Sequence, residues 1–118
     1  MAATNVEFAA RRFIHPNDLD RKRIERAIAQ RLRYRYVSPR VSAVTGGYRI
    51  ESPCCSRNID ANGGIIDVAL IEFRDDTETW HLHRKNHVLG KWEFHSAYDR
   101  LSELLDRLNA DPERKFWQ

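Results

Sequence analysis

At 118 residues the chain is the size of one ordinary domain, long enough to build a core without disulfide or metal staples. Its 42% hydrophobic and 31% charged residues, with three Trp, four Tyr and five Phe, exclude a disordered chain. The longest apolar stretch, Val68 to Ile71, excludes a membrane-spanning helix, which needs roughly 18 residues. The formal net charge is +3, but residues 1–40 hold ten basic and four acidic groups, and the remainder holds ten basic and thirteen acidic ones. The chain opens into Glu7, Arg11 and Arg12 without an apolar leader, which predicts a cytoplasmic protein with no membrane partner.

The first predicted helix spans about 5–14. Thr4-Asn5-Val6-Glu7 reads as a capping box, and Val6, Ala9, Ala10 and Phe13 share a face. Pro16 stops it. A second helix is predicted over 18–33, capped by Asn17 or Asp18, with Ile24, Ala27, Ile28 and Leu32 as its apolar stripe. Strands are predicted over about 34–95. Tyr34, Tyr36 and Val37 favour a strand that Pro39 limits, and Val41 to Val44 resumes it. Gly46-Gly47 suits a tight hairpin turn, after which Tyr48 and Ile50 alternate with Arg49 and Glu51. Ser52 to Asn58 reads as a loop, Asn62-Gly63-Gly64 as a turn, and Ile65 to Phe73 as the most hydrophobic strand. Past Asp75-Asp76, Trp80 and Leu82 point one way while Thr79, His81 and His83 point the other. After Asn86 to Gly90, Trp92 and Phe94 alternate with Lys91, Glu93 and His95, which predicts an antiparallel pair with its aromatics on the inner face. A last helix is predicted over 97–109, capped by Ser96 and striped by Leu101, Leu104, Leu105 and Leu108. Asp111-Pro112 ends it.

The elements predict an α+β fold: a mostly antiparallel sheet of about five strands, with N-terminal and C-terminal helices packed on one face of a single domain. Four features point toward function. His81 and His83 share a strand face, and His95 falls beside them if the register allows. Three neutral imidazoles would suit Zn2+ or another divalent transition metal. The alternative is the wet face of an amphipathic sheet. Arg21, Lys22, Arg26, Arg33, Tyr34 and Arg35 belong to a basic N-terminal face suited to nucleic acid or an acidic protein, or else simply to solvent. Adjacent Cys54 and Cys55 beside Arg57 lack the spacing of a redox or metal motif. Phe116 and Trp117 either dock the tail on the domain or anchor a partner or a second copy.

The run Thr79-Trp80-His81-Leu82-His83-Arg84, then Gly90-Lys91-Trp92-Glu93-Phe94, a Leu-rich helix, Asp111-Pro112 and the closing Phe116-Trp117, resembles a family of short bacterial proteins of uncharacterised function. The resemblance covers residues 65–118. His81 and His83 stand where that family implies a Leu-Tyr pair, and Glu113-Arg114-Lys115 replaces a shorter turn bearing Gly. The resemblance implies no catalytic residues. Together these readings predict a small non-enzymatic binding or accessory module with no catalytic constellation and no resident cofactor. The alternative is a metal-dependent hydrolase or nuclease using His81, His83 and His95.

Overall fold

The computed structural model describes residues 14–31, 37–53 and 64–117. Within it, helix α1 spans Asp18–Ile28 and helix α2 spans Leu101–Ala110. Between them lie strands β1 (Arg40–Val44), β2 (Gly47–Pro53), β3 (Ile65–Arg74), β4 (Thr79–Asn86) and β5 (Lys91–Tyr98). The strands form a five-stranded antiparallel meander in the order β1-β2-β3-β4-β5. The fold is α+β, with one helix before the sheet and one after it among the described residues.

Asn17 caps α1, its side-chain oxygen accepting from the Asp20 N–H at 2.8 Å. The helix ends at Ile28, short of the predicted Arg33. The N–H groups of Gln30 and Arg31 reach back three residues to Ala27 and Ile28, which tightens the last turn. Arg31 then folds inward. Its guanidinium donates to the carbonyls of Ile28 at 2.9 Å and Val37 at 2.7 Å, and it lies 4.6 Å over the Trp117 ring. This basic residue is part of the interior. The helix expected over 5–14 falls on residues outside the described ones, and Ile14 itself is not helical. Residues 32–36, with the strand expected from Tyr34, also lie outside them.

Residues directly opposite in a ladder share a face. One face therefore carries Val41, Ile50 and Ala69, then Tyr48, Ile71 and Leu82, then Phe73, Trp80 and Tyr98. Against it pack Ile24 and Ile28 of α1 and the four leucines of α2. The helices also touch each other, where the Asn109 amide donates to the Ala27 carbonyl at 2.8 Å. Among the described residues no helix covers the opposite face.

A bulge in the β4–β5 ladder reshapes that opposite face. Leu82 pairs with Ser96 but His83 pairs with Phe94, so His95 is the extra residue. The alternation along β5 inverts there. Trp92 and Phe94, both predicted on the inner face, lie outside opposite Lys85 and His83, and Phe94 is 57% exposed. The strand also runs on to Tyr98, so α2 begins at Leu101 rather than after Ser96. The Ser96 hydroxyl is committed to Tyr98 and His95, each at 2.7 Å, and does not cap the helix. Glu103 closes the helix start instead, accepting from the Arg100 N–H at 3.2 Å.

The C-terminal turn is built on Asp111, which takes the left-handed conformation (φ 36°) just past α2. Its buried carboxylate accepts from the N–H groups of Lys115 and Trp117, each at 2.8 Å, and of Phe116 at 3.2 Å. Phe116 and Trp117 are thereby folded into the core, and the indole N–H donates to the Leu108 carbonyl at 2.9 Å.

Candidate metal centre

The uncovered face of the sheet carries the cluster that matters chemically. Residues two apart on a strand project to the same side, so His81 and His83 of β4 both face outward. The β3–β4 hairpin sets Glu72 directly opposite His81 and Leu70 opposite His83. Glu72 therefore reaches His83 diagonally, with its Oε1 3.1 Å from His83 Nε2. One ligand atom from each of Glu72, His81 and His83 lies within 4.8 Å of the other two. All three side chains are half-buried. Phe94 walls the cluster, its ring centroid 5.1 Å from that of His81 and 5.9 Å from that of His83. The Arg74 guanidinium stands 3.8 Å from Glu72 Oε1 and 3.7 Å from Asp76 Oδ1.

The local field favours the metal-binding form of His81. Burial, then the Arg74 charge and the neighbouring His83, push its pKa below the ordinary imidazole value. Neutral imidazole is the species that donates a lone pair to a cation.

His95 does not join this cluster. As the bulged residue it packs against Phe116, ring centroids 5.1 Å apart. Burial, with the charges of Arg107 and Lys115, lowers its pKa there. The predicted trio of histidines is thus a pair, and Glu72 takes the third place. Asp67, a conceivable further ligand, is committed elsewhere. It accepts from Arg49 at 2.6 Å and lies 3.0 Å from the Lys85 ammonium. Burial alone would raise the Asp67 pKa, but these two cations outweigh it and hold the carboxyl low. Cys54, Cys55 and Arg57 lie outside the described residues.

The basic N-terminal face is more neutral in space than in sequence. Arg21 pairs with Asp18 and Glu25, and Arg23 with Asp20 at 2.8 Å. Lys22 and Arg26 carry no ion pair among the described residues, and Arg33, Tyr34 and Arg35 fall outside them. The rings of Phe116 and Trp117 are buried, so neither offers an exposed anchor.

Nothing local in the sequence joins Glu72 to the two histidines. The signal that does so is the hairpin. With Asp75-Asp76-Thr77-Glu78 as its loop, counting outward pairs Glu72 with His81. His15 was also missed. It is wedged between Phe73 and Trp80, with Nδ1 2.9 Å from the Tyr48 hydroxyl, and burial lowers its pKa.

Fold and site together define a small α+β protein with a carboxylate–imidazole cluster on an open sheet face. Over residues 13–118 the chain matches a family described as a domain of unknown function, DUF3024, and it belongs to that family. The likeness read from residues 65–118 thus extends back to residue 13. No match is found among curated proteins, and none among solved structures. No helix among the described residues is long and apolar enough to cross a membrane.

Proposed function

We propose that the protein binds a first-row transition metal ion, zinc foremost, through Glu72, His81 and His83. The observation that carries this reading is the convergence of three donor atoms, from two strands, within 4.8 Å of one another. Donors around tetrahedral zinc stand about 3.3 Å apart, so modest side-chain rotations would close the set. Two imidazoles and a carboxylate suit Zn2+ and its neighbours better than Mg2+ or Ca2+. Three protein ligands leave a position for water, the pattern of reactive rather than purely structural zinc.

The competing reading is a non-enzymatic binding module using the basic N-terminal face on nucleic acid or an acidic protein. It draws on Lys22 and Arg26, while the ion pairs of Arg21 and Arg23 weaken it. The metal reading has the better-defined geometry.

The test is calorimetric titration of chelator-treated protein, free of any polyhistidine tag, with Zn2+. A Cys54→Ser/Cys55→Ser background removes the thiols as rival donors. One ion per chain is expected. Combined His81→Ala and His83→Ala should weaken binding by at least about 100-fold, since even the partners of metal ligands are worth up to that much. His95→Ala should leave it intact. Affinity should fall between pH 7.5 and 5.5, because protons compete for the imidazoles. Absent binding, or binding that survives the double substitution, overturns the assignment.

A further inference from the structure

We propose that the open position of this metal centre takes an oxyanion, carboxylate or phosphate in type, with Arg74 as its second anchor. The inference rests on the metal reading above and adds the class of ligand. Arg74 stands at the rim of the cluster. Its distances of 3.8 Å to Glu72 and 3.7 Å to Asp76 are too long for hydrogen bonds, and its side chain is 48% exposed. Its five N–H donors are therefore not locked by the carboxylates that flank it.

Charge supplies the rest of the argument. With the cluster empty, Arg74 balances Glu72. A divalent ion would draw Glu72 into its own coordination shell and leave the guanidinium facing the new cation. Counting the ion, Glu72, Arg74 and Asp76, with both imidazoles neutral, the site then carries a net charge of about +1, which an anion neutralises. The other wall is the exposed ring of Phe94, which has no charge to repel one. A guanidinium matches an oxyanion with paired donors, while the metal holds one of its oxygens.

Cobalt-loaded protein gives the readout, since the visible spectrum of Co2+ reports its ligands directly. Methyl phosphate and acetate are the two probes, one tetrahedral and one planar. At least one should change the spectrum saturably in the wild type, and the tighter of the two assigns the type of oxyanion. Arg74→Met should weaken that anion by about ten-fold or more, the worth of a charge-assisted hydrogen bond. It should leave Co2+ affinity unchanged or improved, because a positive charge beside the cation is removed. Arg74→Lys should recover part of the loss. If Co2+ itself does not bind, the metal reading fails. If Co2+ binds but neither anion perturbs it, or Arg74→Met binds the anion as well as the wild type, the metal reading stands and this inference is overturned.

Discussion

Replacing Asp111 with alanine is expected to cost about 3–5 kcal/mol of folding stability, the combined cost of buried backbone donors left without their acceptor. Asp111 is 2% exposed, and its carboxylate is the acceptor for three successive backbone N–H groups. Alanine supplies no acceptor, and two of those donors belong to residues buried in the core. Each stranded donor costs about 1–3 kcal/mol unless the tail leaves the core to reach water. Leaving would expose Phe116 and Trp117 and strip the indole from the Leu108 carbonyl and from Arg31. A domain of this size has only about 5–15 kcal/mol in reserve. Asp111→Asn should lose roughly half as much, keeping one acceptor oxygen and tolerating the left-handed backbone. Urea denaturation gives the stabilities, and hydrogen exchange at the Phe116 and Trp117 amides locates the damage. A loss under about 1 kcal/mol for the alanine variant would show that the turn does not depend on this carboxylate.

Gly47→Ala is the second large effect. A Cβ on Gly47 would lie 2.0 Å from the Ile71 carbonyl oxygen and 3.0 Å from the Glu72 Cα. Both are backbone atoms of the neighbouring strand, so no side-chain rotation relieves the clash. β2 and β3 must part at the point where Glu72 is positioned. The expected cost is about 3 kcal/mol or more, the upper end for overpacking. The Zn2+ affinity proposed for Glu72, His81 and His83 should fall with it. Gly46→Ala is the matched comparison. Gly46 has φ 74° but nothing within 4 Å of its missing Cβ, so only the left-handed strain of about 1–2 kcal/mol applies. Parallel thermal melts decide between them. Equal losses at the two glycines would mean that the close approach to Ile71 is not the constraint.

The parts of the fold legible in the sequence were those with strong local period. Leu101, Leu104, Leu105 and Leu108 are buried on α2, as their spacing requires. Trp80 and Leu82 are buried while His81 and His83 face the other way, as strand alternation requires. The errors trace to events that leave no periodic mark. One unpaired residue at His95 reversed the alternation of β5, which sent Phe94 outward and removed His95 from the other histidines. Past the end of α1, Arg31 turns toward Trp117, a contact between distant parts of the sequence that no local pattern shows. Asp111 reads in sequence as a helix stop, yet its main work is to receive the tail. Glu72 required a pairing register, which follows from the hairpin only once the loop length is known.

The meander also has a kinetic consequence. Every described strand pairs with its sequence neighbour, so the sheet can assemble by successive closures of neighbouring strands, each of modest entropy cost. The contacts that join the two ends come from far apart. Asn109 and Ala27 are 82 positions apart, and Arg31 meets Trp117 across a similar span. Folding on the order of milliseconds is therefore expected, with a sheet-like transition state and the helical layer closing late. In stopped-flow measurements Asn109→Ala should chiefly speed unfolding, whereas Leu82→Ala should slow folding. The reverse pattern would place the meeting of the two chain ends before the sheet.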